Sequence, residues 1–156
     1  MLHALSSLPP DDKAFFFESF AMPITVSTVI ASPISSVWDC FVNPDHVIHW
    51  NQASDDWHCP KAVSDFKVGG KFTYTMAAKD GSVSFDLWGT FDEIQENTVL
   101  SYTLGDERKV RVTFQDEGEH VLVTEVFDPE HVHSEDLQKT GWQAILDSFK
   151  AYCESF

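Results

Sequence analysis

The chain has 156 residues, of which 43% are hydrophobic and 13% aromatic, so it can bury the core of one globular domain. It carries 25 acidic and 10 basic residues, which gives a formal net charge of −15 at pH 7. A field of that sign repels phosphate backbones and anionic head groups. It therefore argues against nucleic acid as a partner and against binding to a membrane surface.

The cysteines and the N-terminal sequence indicate a reducing compartment. Cys40, Cys59 and Cys153 are odd in number and widely spaced, which argues against a disulfide framework. No apolar run is long enough to span a bilayer, and the N-terminus lacks the basic and apolar regions of a signal peptide. We expect a cytoplasmic protein without membrane insertion.

Residues 1–21 differ in composition from the rest and are predicted to be an N-terminal appendage, either a short helix or loosely packed. Their four phenylalanines could pack on the domain or on a neighbouring subunit; they are Phe15, Phe16, Phe17 and Phe20. Residues 22–156 are predicted to form a single domain.

The domain opens with a strand followed by two short helices. Ile24–Ala31 is β-branched and alternating, which predicts a strand. Ser32 has the character of an N-cap and is followed by Pro33 at the start of a helix. Asn43 and Pro44 close this helix and open a second short one.

A long connection and then a meander of strands are predicted next. Residues 51–70 show no clear period and are expected to form an ordered covering loop. From Lys71 onward the apolar residues alternate, with tight turns between runs, which is typical of antiparallel strands. The predicted strands contain Phe72–Met76, Phe85–Phe91, Val99–Leu104, Val110–Phe114 and Val121–Phe127.

The last stretch, residues 134–156, predicts one long amphipathic helix of about 20 residues. Ser134 suits its N-cap, and acidic residues follow in the first turn. The predicted apolar stripe contains Leu137, Gly141, Ile145, Phe149 and Tyr152, widened by Trp142 and Leu146. Gly141 in mid-helix indicates either a close approach of the sheet or space left open. A helix this aromatic needs a broad apolar partner, so we expect an α+β fold with a sheet wrapped around it.

This order of elements resembles the family named after the activator of the heat-shock protein 90 ATPase, within the START-like (SRPBCC, Bet v 1-like, helix-grip) superfamily. The stretches that carry the resemblance are SPISSVWDCFVNPDHVIHWN (32–51), ASDDWHCP (53–60), VGGKF (68–72), YTLGDERKVRVTF (102–114), VTEVF (123–127) and GWQAILDSFKAY (141–152). Two of them, ASDDWHCP and GWQAILDSFKAY, resemble most the small single-domain bacterial branch.

The resemblance implies a curved antiparallel sheet around the C-terminal helix, two short helices after the first strand, and an apolar cavity between sheet and helix. Superfamily members bind lipids, sterols, polyketides or plant hormones, and some are cyclases or hydroxylases. A co-chaperone role in the stress response is implied by the eukaryotic members, which carry an additional N-terminal domain.

Glu125 is the most informative single residue. In VLVTEVF it shares a face with Val123 and Phe127, which we assign to the interior. A buried carboxylate must be paired, or its pKa rises, so Glu125 is a candidate polar anchor or acid–base group in a ligand cavity. The alternative is that it faces a rim or pairs with a nearby cation. The candidate cations are Arg108, Lys109 and Arg111.

A second candidate group lies on the predicted covering loop and comprises Asp56, Trp57 and His58. They could orient the polar end of a ligand; alternatively, Trp57 plugs the core and His58 satisfies backbone carbonyls. Tyr102 and Trp142 could present O–H and N–H donors to the same cavity, or be ordinary core aromatics.

The sequence therefore predicts non-catalytic binding of a small, largely apolar molecule between the sheet and the last helix, with no metal and no cofactor. The predicted site comprises Trp57, His58, Phe72, Tyr74, Phe85, Tyr102, Val112, Phe114, Glu125, Phe127, Trp142 and Ile145. The first alternative is an enzyme of the cyclase or hydratase kind using Glu125 or His58, and the second is a module that contacts a heat-shock protein 90 homologue. The third is a protein whose interior is filled by its own aromatic residues and which acts through its surface. An outward-pointing Trp88 also indicates a subunit contact, as in a homodimer.

Overall fold

The computed structural model describes residues 22–156, so the predictions for residues 1–21 lie outside the described range. Seven strands and three helices make up this part of the chain. They are β1 (Ile24–Ile30), α1 (Ile34–Val42), α2 (Pro44–Trp50), β2 (Trp57–Ser64), β3 (Lys71–Ala78), β4 (Ser84–Gln95), β5 (Val99–Leu104), β6 (Lys109–Asp116), β7 (Val121–Phe127) and α3 (Glu135–Cys153).

All seven strands form one antiparallel sheet in the order β1-β7-β6-β5-β4-β3-β2. The meander from β2 to β7 joins neighbours through short turns, and β1 adds to the edge at β7, where Val26 lies opposite Glu125. The sheet curls into a half-barrel around α3, which confirms the predicted α+β helix-grip fold. Within residues 22–156 no helix is both long and apolar enough to cross a bilayer.

The predicted covering loop at residues 51–70 is wrong in part, because residues 57–64 form the edge strand β2. This strand pairs with β3, and its register shifts between His58 and Lys61. Such a bulge breaks the alternation from which a strand is recognised. Pro60 lies within it, and an edge strand tolerates a proline.

The first helix begins one residue later than predicted. Pro33, not Ser32, occupies its N-cap, and it makes no side-chain capping bond. The Ser32 hydroxyl instead donates to the backbone carbonyl of Cys153, at 3.5 Å. Asn43 does cap α2 as predicted, since its Oδ1 accepts from the backbone N–H of Asp45 at 3.0 Å.

The last helix is capped as predicted but is rotated relative to the predicted stripe. Ser134 Oγ accepts from the backbone N–H of Leu137 at 3.1 Å. Leu137 itself is 57% exposed, so its predicted burial is wrong. The fully packed residues of α3 are Gln138, Leu146, Phe149 and Cys153. With this rotation α3 lies along β1 and against the two short helices.

Candidate functional site

A cavity of about 270 Å³ lies between the inner face of the sheet, the two short helices and α3. Its wall is mostly apolar. The predicted residues that line it are Phe72, Tyr74, Phe85, Tyr102, Glu125, Trp142 and Ile145. They come from β3, β4, β5, β7 and α3, which shows that the strand alternation was assigned to the correct face.

Three predicted wall residues lie behind the cavity. Val112 is completely buried, and Phe114 packs against the rings of Trp38 and Phe41, at centroid distances of 5.1 and 5.5 Å. Phe127 stacks on Trp142 at 3.8 Å, so that the indole covers it. These residues share a face with the lining residues, but Phe114 is covered by α1 and Phe127 by Trp142 of α3.

Trp57 and His58 do not line the cavity either, because they belong to β2 rather than to a covering loop. Trp57 packs edge-on against Phe85, with ring centroids 6.1 Å apart. It therefore supports a residue of the wall from outside. His58 lies opposite Ala77 of β3 and is not brought together with Glu125.

Ten lining residues were not in the predicted site. Four of them could be inferred from the sequence, because they alternate with predicted wall residues on β3, β4 and β5; they are Met76, Leu87, Phe91 and Leu100. Others come from the short helices, from the β2–β3 connection and from the turn after β5, where no periodicity identifies a cavity wall. The complete set is Phe41, Val42, Trp50, Asn51, Phe66, Met76, Leu87, Phe91, Leu100 and Arg108.

Glu125 is the one acidic residue of the wall, in the part of the chain that the structure describes. It is 6% exposed and lies between Val26 of β1 and Val112 of β6. Among residues 22–156 its carboxyl group has neither a hydrogen-bond nor an ion-pair partner. Burial without compensation raises its pKa to about 8, so the neutral acid predominates at pH 7.

The predicted pairing of Glu125 with a cation is not observed among the described residues. Arg108 also lines the cavity, but its Nε donates to Asp106 Oδ2 at 2.7 Å. Arg111 contacts Glu93 Oε2 through Nη1 at 3.4 Å. Each guanidinium is thus associated with an exposed carboxylate.

Two tyrosines add hydroxyl groups to the same wall. Burial raises the pKa of Tyr102 far above its ordinary value, and the charge of Glu125 is the second cause. Burial also raises the pKa of Tyr74 well above the ordinary value. Both are therefore neutral phenols at physiological pH. The rings of Tyr102 and Phe72 pack in a T-shaped arrangement, at a centroid distance of 5.0 Å.

Comparison with known proteins accords with this architecture. The family model "Activator of Hsp90 ATPase homolog 1-like protein" matches residues 31–154. The chain belongs to this family. A comparison with curated proteins finds no match.

Two solved structures are similar to this AHSA1-like chain in sequence as well as in fold. An AHSA1-like protein from Aeromonas hydrophila is 42% identical, with a TM-score of 0.78, over 85% of this chain and 93% of that one. A protein from Cytophaga hutchinsonii is 48% identical, with a TM-score of 0.74, over 85% of this chain and 92% of that one. A protein from Nitrosomonas europaea, 16% identical with a TM-score of 0.73 over 85% and 94% of the two chains, shares the fold alone.

The thiols of this AHSA1-like chain are unsuited to nucleophilic chemistry. All three cysteines are free and buried. Burial raises the pKa of Cys40 to about 12 and raises that of Cys59 and Cys153 as well. A buried thiol with a raised pKa carries little thiolate. No cluster of three metal-ligating side chains occurs between residues 22 and 156.

Trp88 lies on the outer face of β4 and is 42% exposed. Its ring covers Gly105, where a side chain would not fit, and Lys71 Nζ lies 4.6 Å from the ring centroid. The indole thus already has intramolecular contacts, and the homodimer stays a prediction.

Proposed function

We propose that this AHSA1-like protein binds a small, largely apolar molecule in the cavity between the sheet and α3, without catalysing a reaction. The observation that carries the proposal is the cavity of about 270 Å³ itself. Protein interiors normally fill such space with side chains, because each unfilled volume loses packing energy. Apolar walls with a few polar groups are typical of small-molecule sites.

The position of Gly141 supports the proposal. A Cβ built on Gly141 would meet no atom within 4 Å, so this glycine is not required for a close approach of helix and sheet. Of the two explanations for a mid-helix glycine, open space is the one that fits. It lies one turn before Ile145, a residue of the cavity wall.

The cavity also reaches solvent. Phe85 lines it and is 52% exposed, and Phe66 lines it and is 37% exposed. A ligand could therefore enter beside these rings without unfolding of the domain. The volume lies just below the usual range for drug-sized ligands, about 300–1,000 Å³, which indicates a compact molecule.

The first experiment is native mass spectrometry of the full chain, purified without detergent, followed by extraction of any retained mass. A matched pair of variants then locates the binding site. Ile145→Trp fills the cavity, whereas Thr140→Trp adds the same ring to the exposed side of the same helix.

We expect the retained mass in the wild type and in Thr140→Trp, and its loss in Ile145→Trp. Circular dichroism and a cooperative thermal transition will show that both variants fold. Retention by all three proteins would place the ligand elsewhere. If nothing is retained and no small apolar probe binds at millimolar concentration, the proposed function is wrong.

Family membership favours a second candidate, contact with a heat-shock protein 90 homologue. The family takes its printed description from an activator of that ATPase. The test is the steady-state ATPase rate of the purified chaperone with and without a molar excess of this chain. A rate that rises at least twofold would support it, and an unchanged rate together with no co-sedimentation would exclude it.

A further inference from the structure

We propose that Tyr102 and Glu125 together bind one oxygen atom of the ligand, and that the ligand is an aromatic ketone or a molecule with an equivalent hydrogen-bond-accepting oxygen. This inference rests on the proposed function and specifies its ligand class. It comes from the chemistry of the polar groups that the cavity wall leaves without partners among the described residues.

Four polar side chains of the wall can each donate a hydrogen bond. A tyrosine hydroxyl donates one hydrogen bond, and a guanidinium only donates. A carboxyl group that is buried in an apolar wall without an ion pair is neutral, and then it can donate as well. The side-chain amide of Asn51 both donates and accepts. The wall therefore offers donors at Tyr74, Tyr102, Arg108 and Glu125.

The two groups lie on the same face of the sheet. Tyr102 of β5 pairs with Val110 of β6, and Glu125 of β7 pairs with Val112 of β6. One strand and a two-residue offset separate them, and both side chains line the cavity.

A carbonyl oxygen suits this arrangement because its two lone pairs can accept from two donors at once. A tyrosine and a neutral carboxylic acid in an apolar site form the oxyanion-binding pair of ketosteroid isomerase, which shows that the combination is chemically competent. An amine would instead require an ionised carboxylate, which the apolar surroundings of Glu125 disfavour. The net charge of −15 also opposes the approach of a fully anionic ligand.

The test compares three naphthalenes of similar size: 2-acetylnaphthalene, 2-ethylnaphthalene and 2-naphthylmethylamine. Their dissociation constants for the full chain are measured by calorimetry or fluorescence at pH 7. We expect the ketone to bind about tenfold more tightly than the ethyl compound, as one or two buried hydrogen bonds would give. We expect the amine to bind most weakly.

Two substitutions locate the effect. Tyr102→Phe should reduce the preference for ketone over ethyl compound by about three- to tenfold, with unchanged affinity for the ethyl compound. Glu125→Leu should do the same. Tyr74→Phe removes the other hydroxyl of the wall and tests whether Tyr74 is the donor instead. The matched control is Tyr152→Phe, which removes a hydroxyl outside the cavity, 2.7 Å from His46 Nδ1, and for which we expect no change in preference.

The outcomes separate this inference from the proposed function. Equal binding of ketone and ethyl compound, or tighter binding of the amine, would overturn the inference while leaving an apolar site in place. A preference lost in Tyr74→Phe but kept in Tyr102→Phe would overturn the assignment. Binding of none of the three would also overturn it, and retention of a native ligand would then decide the proposed function separately.

Discussion

At the scale of single residues, Glu125 links the structure to a measurable pH dependence. Its folded-state pKa is raised from 4.5 to about 8 by burial alone. The folded protein therefore holds a proton that the unfolded chain loses above about pH 4.5. Because the folded state binds more protons in this window, stability from this group must fall as the pH rises from about 5 to 8.

We predict that Glu125→Gln removes this dependence. The free energy of unfolding of the wild type should decrease, relative to that of the variant, by roughly 1 kcal/mol per pH unit within the window. The difference should level off above pH 8, where Glu125 is ionised in both states. Urea unfolding of both proteins at pH 5, 6, 7 and 8 measures it.

The groups that face Glu125 in the cavity do not titrate in this window. They are Tyr102 and Tyr74, which are neutral, and the guanidinium of Arg108; Trp142 and Ile145 of α3 carry no charge. If the difference in unfolding free energy between the wild type and Glu125→Gln does not change with pH, Glu125 is solvated or paired in solution.

At the scale of elements, the entry into α3 is fixed by one buried amide. Gln138 is 8% exposed, and its Oε1 accepts from the backbone N–H of Glu130 at 2.8 Å. Its Nε2 donates to the carbonyls of Glu130 and His133, at 3.0 and 2.9 Å. One side chain thus satisfies three backbone groups of the β7–α3 connection, which positions the cavity-lining half of the helix.

We predict that Gln138→Leu destabilises the protein by about 2–4 kcal/mol, since it leaves backbone groups unpaired near a buried side chain. Urea unfolding at pH 7 measures the loss. The matched control is Gln143→Leu, a substitution of the same kind on the same helix at an exposed hydrogen bond to Ser27. That variant should lose less than about 1 kcal/mol. Equal losses of stability in the two variants would mean that the Gln138 amide does not stabilise the β7–α3 connection.

At the scale of the whole molecule, the fold was predictable because its main elements carry strong local patterns. The alternating pattern on β7 predicts a strand, and the N-cap and amphipathic pattern of α3 predict a helix. The alternating residues of β7 are Val121, Val123, Glu125 and Phe127. The edge strand β2 was not predictable, because the bulge between His58 and Lys61 interrupts its period.

The cavity was predictable only on its sheet side. The position of Glu125 followed from strand alternation, since a period of two determines which side chains share a face. The contributions of Phe41, Trp50 and Asn51 depend on how the short helices pack against α3, which is set by tertiary contacts rather than by local sequence. For the same reason, the sequence did not predict that Trp142 would cover Phe127 and so keep it out of the cavity wall.

The strongly acidic surface gives a last prediction at this scale. A net charge of −15 places the folded chain under self-repulsion, which salt relieves. The β6–β7 hairpin concentrates this charge in the exposed residues Asp116, Glu117 and Glu119.

We predict that Glu119→Lys raises the melting temperature in 10 mM NaCl, where charges interact over about 30 Å, and that the gain disappears in 1 M NaCl, where they interact over about 3 Å. The expected gain at low salt corresponds to about 0.2–1 kcal/mol. Glu119→Gln, which removes one charge without adding its opposite, should give about half of it. If Glu119→Lys raises the melting temperature equally at both salt concentrations, the gain comes from local packing in the hairpin. The net charge of the molecule would then not limit the stability of the protein.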